Sequence, residues 1–245
     1  MTLAQILAWL DATLNPRAFV DVSNNGLQIA RRGDAVARVA FGVDADVRTV
    51  AAAGAAGAQL LVVHHGISWG GGLARLTGGV YNVVRAAMDA DLALYAAHLP
   101  LDAHPALGNN RGLARFLALR DLKPAFAWKG TPVGLVGRGR LQTVQARLRR
   151  LAPHAPLPDL SPARGATVSV GLCSGGGGGF AEEARDLGCD LFVTGEADWG
   201  ETVAAANAGM PMVCAGHYET ETFGVAALAR AMARALHVET TFIGR

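Results

Sequence analysis

Cysteine is scarce in this 245-residue chain: Cys173, Cys189 and Cys214 are an odd number, widely spaced and without a CxxC pair. That pattern excludes a disulfide framework, and the three read as small buried residues. Charge of one sign is also lacking. The net charge is only +2, and the 22 Lys and Arg are dispersed apart from RLRR at 147–150. The electrostatic footprint of a nucleic-acid binder is missing, and no nucleic-acid partner is expected. No apolar run reaches the roughly 18 residues a bilayer requires, because Arg, Asp, Gly or His interrupts each one, so no membrane association is expected. The stretch MTLAQILAWLDATL has no basic leader and reads as an amphipathic helix with Leu3, Ile6, Leu10 and Leu14 on one face. These absences together predict a cytoplasmic protein. A fixed-period repeat and a low-complexity tail are lacking too.

What remains is a chain that is 51% hydrophobic, enough to bury one large core or two smaller ones. Short apolar runs alternate with helical patterns. Strands are predicted at 39–43, 60–63, 92–97, 133–136, 167–172, 191–194, 212–214 and 238–243, and helices near 46–57, 79–90, 108–119, 141–151, 179–188, 200–208 and 222–236. The fold class is α/β, with mixed sheets covered by helices. A break in composition at 123–131 and a Pro-rich stretch, PHAPLPDLSPARG, at 153–165 suggest an inserted unit. The expected division is a main domain on 1–125 with 190–245, and a smaller inserted domain on 126–189.

Three motifs carry chemistry. In LLVVHHG (60–66) an apolar strand ends in His64, His65 and a glycine. Inside a regular strand the two imidazoles would face opposite ways, whereas a strand ending at Val63, with Gly66 permitting a sharp exit, lets them diverge slightly toward two neighbouring ions. In LYAAHLPLD (94–102) a second strand leads to His98 and, past Pro100, to Asp102. Pro100 keeps the residue before it extended, so this segment is expected to leave the sheet as a loop and not a helix. In VCAGHYETETFG (213–224), His217 and Glu221 stand four residues apart and share one face if a helix begins near His217. Cys214 ranks below these as a ligand. Each motif alone reads equally well as unrelated polar residues at a loop start, a turn cap or a helix N-terminus. Their weight comes from all three lying where a strand gives way to a loop, the place where open α/β sheets form ligand sites. Three histidines and two carboxylates suit two ions better than one zinc with an open position.

With these motifs in view, the chain resembles the dinuclear-metal-centre family of hexameric proteins, also called GTP cyclohydrolase 1 type 2 homologues. The resemblance runs nearly end to end through NNGLQI at 24–29, VVHHG at 62–66, HLPLD at 98–102, GNN at 108–110, VTGE at 193–196 and GHYETE at 216–221. It implies a two-domain α/β subunit in a toroidal homohexamer. It implies His64, His65, Asp102, His217 and Glu221 as ligands of two divalent ions per chain, Glu221 bridging both, and His98 as a site residue outside the ligand set. The chain departs from the family in Asn24-Asn25-Gly26 and in TGEADWGE at 194–201, which leaves the ligands unchanged but bears on what the site admits.

Two divalent cations against two ionised carboxylates leave a residual +2, which favours a small anionic partner. The expected activity is metal-dependent hydrolysis of a small phosphorylated or nucleotide-like substrate, resembling a GTP cyclohydrolase, with His98 moving protons and Glu219 or Glu196 in second place. Mixed imidazole and carboxylate donors suit Zn, Fe, Mn, Co or Ni. The alternative is a non-catalytic metal-binding ring acting as a scaffold or regulatory partner. SGGGGGF at 174–180 matches no phosphate-loop pattern and reads mainly as a permissive loop, with phosphate contact as the lesser reading.

Overall fold

The computed structural model describes residues 1–160 and 166–245. The chain divides into two compact units, Met1–Leu101 with Val225–Arg245, and Asp102–Gly224. These limits differ from the 125/126 and 189/190 boundaries expected from composition, and strand pairing gives the reason. Residues 191–194 and 212–214 continue the sheet begun at 120–140, so the second unit retains the chain up to Gly224.

Elements are numbered along the chain. The first unit is built on a mixed five-stranded sheet of order β1-β4-β3-β2-β10. Its strands are β1 (Gly26–Ile29), β2 (Arg38–Asp44), β3 (Leu60–His65), β4 (Ala93–Ala96) and β10 (Glu239–Phe242). β10, β2, β3 and β4 run parallel, and β1 closes the edge antiparallel to β4. Helix α1 (Leu3–Leu14) starts in a capping box: Gln5 N–H donates to Thr2 Oγ1 and Thr2 N–H donates to Gln5 Oε1. Its buried residues are the predicted Leu3, Ile6, Leu10 and Leu14, and it stops at Asn15 in a left-handed conformation ahead of Pro16. Helix α2 (Val47–Ala55), capped by Asp46, and helix α3 (Gly78–Asp89) cover the sheet. Their Val50, Ala53, Val83 and Ala87 pack against Leu61, Val63 and Leu94.

β3 runs two residues further than expected and contains both histidines, because His65 still pairs with Asp44 of β2. After β4 the chain makes a one-turn helix, α4 (Leu99–Asp102), where the sequence predicts a loop. Pro100 falls in its first turn, where a missing N–H costs nothing, and the turn is closed by Leu101 N–H donating to His98 O at 2.8 Å.

The second unit holds α5 (Asn109–Phe116), β5 (Arg120–Trp128), β6 (Thr131–Arg140), α6 (Leu141–Leu151), β7 (Thr167–Cys173), α7 (Ala181–Asp186), β8 (Leu191–Thr194), α8 (Trp199–Asn207) and β9 (Met212–Cys214). Its mixed sheet has the order β5-β6-β7-β8-β9, with β7, β8 and β9 parallel. The break at 123–131 is the tip of the β5–β6 hairpin. Lys129 and Gly130 both have positive φ between the paired Trp128 and Thr131, the geometry of a two-residue primed turn. Of the Pro-rich stretch, 161–165 lie outside the described residues, while Leu160 is buried in the core with Leu113, Val144, Leu148 and Val170. The last helix, α9 (His217–Leu236), belongs to the second unit through Gly224 and to the first from Val225. Among the described residues, no helix is long and apolar enough to cross a membrane.

Candidate metal centre

In the first unit, β2, β3 and β4 end together: Asp44 pairs with His65 and Val63 with Ala96. Their carboxyl ends bring His64, His65 and, just past β4, His98 into one group, in which one ligand nitrogen from each ring lies within 4.8 Å of the others. The rings of His64 and His65 are 4.6 Å apart although they are adjacent in a strand. His64 is fully buried, whereas His65 and His98 are partly exposed.

Each Nδ1 of this group is engaged. His64 Nδ1 lies 2.8 Å from Ala97 O, His65 Nδ1 2.9 Å from Asp44 Oδ1, and His98 Nδ1 2.8 Å from Asp21 Oδ1. A carbonyl and a carboxylate accept, so each Nδ1 carries a proton in these contacts, and Nε2 is the nitrogen that each ring, when neutral, can offer to an ion. Asp21 is ionised with a wide margin. Burial alone would raise its carboxyl, but the hydrogen bond and charge of His98, with Asn25 and the Ser23 N–H, bring it down to about 2. Asn25 in turn accepts from His98 N–H through Oδ1. Trp69 packs edge-on to His98 at 5.2 Å and lies 6.0 Å from His65, with its indole N–H donating to Gly66 O.

In the second unit, β7, β8 and β9 also end together, with Cys173 beside Thr194 and Thr194 beside Cys214. Helix α9 begins at His217, ahead of the expected 222, which meets the condition set by the His217–Glu221 spacing, and its first turn brings His217 Nε2 to 3.3 Å from Glu221 Oε2. His217 Nδ1 lies 3.0 Å from Glu196 Oε1, beyond the end of β8. The hydrogen bond to Glu221 raises the His217 pKa to about 9, against the opposing effect of burial and helped by the charges of Glu221 and Glu196. Asp102 and Glu221 are both buried and present carboxylate oxygens within 4.8 Å of each other. Asn109 Nδ2 and Ser174 Oγ donate to Asp102 Oδ1 at 2.8 and 3.2 Å.

The Gly-rich segment serves this carboxylate pair. Gly175 has φ of +64°, and a Cβ there would stand 2.1 Å from Glu221 Oε1 and 3.1 Å from His217 Nε2, so the backbone passes where only glycine fits. The backbone N–H groups of Ser174, Gly175 and Gly177 donate to Asn110, Thr220 and Thr194. They are used within the protein and hold the loop against the carboxylates. Glu219 stands apart. It is exposed, and its carboxylate folds over Gly216 at the start of α9. Cys173 and Cys189 are buried, but Cys214 is exposed, contrary to expectation, because β9 is three residues long at the sheet edge. Burial, then the charges of Asp102 and Glu221, push the Cys173 thiol far up, so it stays protonated and outside the donor set.

Sequence reasoning alone missed Asp21, Asp44, Asn109, Ser174 and Gly175. Asn109 lies in the GNN motif, and Ser174 and Gly175 open the glycine run, whereas Asp21 and Asp44 carried no local signal.

A family model described as Duf34/NIF3 (NGG1p interacting factor 3) matches residues 1–245. A Deinococcus radiodurans protein named GTP cyclohydrolase 1 type 2 homolog is 42% identical over 235 residues, which cover 92% of this chain and 86% of that protein. A protein of the same name from Treponema pallidum is 37% identical over 282 residues, covering 99% and 98%. Two solved structures are also similar over nearly the whole chain. Protein ybgI, of unknown function, superposes with a TM-score of 0.88 at 30% identity, covering 99% of this chain and 98% of its own. TTHA1606 from Thermus thermophilus superposes with a TM-score of 0.83 at 32% identity, covering 100% and 98%.

Proposed function

Because this chain belongs to the Duf34/NIF3 (NGG1p interacting factor 3) family, we propose that it is a metal-dependent hydrolase acting on a small phosphorylated or nucleotide-like substrate. His64, His65, Asp102, His217 and Glu221 would hold two divalent ions. The observation that carries this reading is the tethering of the His64, His65 and His98 imidazoles by Nδ1, to Ala97, Asp44 and Asp21. An acceptor behind each ring is the arrangement of a histidine ready to donate through Nε2. The glycine cradle around Glu221 and His217 supports the same reading, since a side chain at 175 would fill the space beside the donor oxygen.

Two divalent ions, when bound, supply Lewis acidity and lower the pKa of water. The chain's own residues do the rest. Ser174 and Asn109 orient the Asp102 carboxylate, Asp44 and Ala97 fix the rings of His65 and His64, and the ionised Asp21 keeps the His98 Nδ1 proton in place. His98 Nε2 is then the group that takes or returns a proton at the substrate. Glu219, exposed on the first turn of α9, is the second candidate for proton transfer. The relatives' name, GTP cyclohydrolase 1 type 2 homolog, suggests a nucleotide as the first substrate to try. We carry the cytoplasmic homohexamer as part of this proposal.

Elemental analysis of freshly purified protein tests the site. About two ions per chain are expected, falling to near zero in His64→Ala/His217→Ala. Full metal content in that double variant refutes the ligand set. A hydrolysis screen across nucleotides and phosphoesters, with each candidate ion restored after chelation, tests the activity. Turnover that survives complete metal removal overturns the catalytic reading. Dissociation of the assembly on chelation, with no turnover found, supports the scaffold reading instead.

A further inference from the structure

Three arginines gather on the second unit, away from the carboxylates described above. Arg120 of β5 and Arg138 of β6 are register partners, so their side chains leave the sheet on the same face. Arg140 follows two residues along β6 and shares that face. The burial along β6 agrees, with Gly137 and Gly139 inside and Arg138 and Arg140 outside. Together with Ala118, Asp121, Thr143 and Thr167, they line a cavity of 510 Å³.

Like charges placed directly opposite each other across two strands destabilise the pair. Here a third joins them, and among the described residues none of the three guanidiniums makes an ion pair or hydrogen bond with a protein group. Among the described residues of the lining Asp121 is the one carboxylate, against the three guanidiniums. The N-terminal end of the 11-residue α6 adds to the same potential, with no acid in its first turn and no side-chain cap. The backbone around Arg120 is irregular in a way that regular pairing does not require. Ala118 and Asp121 have φ of 58° and 54°, and the β5 register slips between Arg120 and Lys123. Bulges of this kind re-aim side chains beside binding sites.

The geometry points to an anion site here that takes a small, multiply charged oxyanion of the phosphate class. A guanidinium fork matches two phosphate oxygens, and three forks around one cavity suit two phosphoryl groups better than one. A small ligand fits better than a nucleic-acid backbone, because the net charge of the chain is only +2 and its other basic residues are dispersed.

Isothermal titration calorimetry of the full-length protein, after chelation of metals, tests this with inorganic pyrophosphate as the probe and inorganic phosphate as the weaker comparison. One pyrophosphate site per chain is expected. Arg120→Gln/Arg138→Gln should weaken Kd about tenfold or more, since hydrogen bonds to charged groups are each worth a factor of that order. Arg138→Lys, which keeps the charge but loses the fork, should fall between. His64→Ala/His217→Ala should leave the pyrophosphate Kd unchanged. Without ligand, Arg120→Gln/Arg138→Gln should melt no lower than wild type, because it relieves repulsion on an exposed face. That measurement also shows that the variant folds. The proposal is overturned if wild type gives no binding heat at millimolar pyrophosphate, if the arginine double variant binds as tightly as wild type, or if the histidine double variant abolishes the isotherm.

Discussion

The two units place their reactive side chains at the same kind of position, the carboxyl ends of three parallel strands, yet they fix them by different means. The first supplies nitrogen donors, each held by an acceptor behind it: Ala97 for His64, Asp44 for His65 and Asp21 for His98. The second supplies mainly oxygen donors, held by the absence of side-chain volume at Gly175 and by the hydroxyl and amide of Ser174 and Asn109. Directional hydrogen bonds orient a ring, which has one useful lone pair. Steric closeness suits a carboxylate, whose two oxygens accept over a wide arc. The two halves should therefore fail under different substitutions.

The largest effect is expected from Gly175→Ala. The added methyl would stand 2.1 Å from Glu221 Oε1, at a φ of +64° that disfavours alanine by about 1–2 kcal/mol. Glu221 must move, so metal content should fall from about two ions per chain to one or none, with a lowered Tm. Unchanged metal content would show that volume at 175 does not govern the carboxylates. Asp44→Ala tests the other half. Without its acceptor His65 is no longer oriented, and metal affinity should drop by about 10–100-fold in competition with a chelating dye, while the carboxylate geometry stays intact. The smallest effect belongs to Asp21. Its folded pKa of about 2 lies below the ordinary 3.8, so the ionised form contributes stability that is fully present above pH 3.8 and is lost as pH falls through about 2. That contribution is about 2 kcal/mol. Urea denaturation between pH 5 and pH 2 should show it in wild type and not in Asp21→Asn.

The same contrast explains how much could be read from the residues alone. VVHHG and VCAGH are contiguous, and an apolar run that leads to a ligand type announces the strand, so β3 and β9 were legible, although β3 continues through His65 and α9 starts at His217 and not near 222. The acceptors behind the rings were not, because Asp21 reaches His98 across 77 residues and Ser174 reaches Asp102 across 72. Only folding makes those pairs. β1 and β5 escaped for another reason. GLQI is four residues at an edge, and RDLKPAFAW carries charges and a proline that edge strands tolerate and that break any alternating pattern. The composition change at 123–131 marked a hairpin tip, which shares its glycine and polar residues with the linker it resembled.

Trp69, pinned by its indole N–H to Gly66 and lying 5.2 Å from the His98 ring and 6.0 Å from that of His65, makes the imidazole group optically visible. Emission from an indole that close is quenched by an ion with unpaired electrons and largely spared by a closed-shell ion. With Trp9, Trp128 and Trp199 replaced by phenylalanine, Trp69 emission would sort zinc from iron, manganese, cobalt or nickel held there as proposed, and would time their arrival.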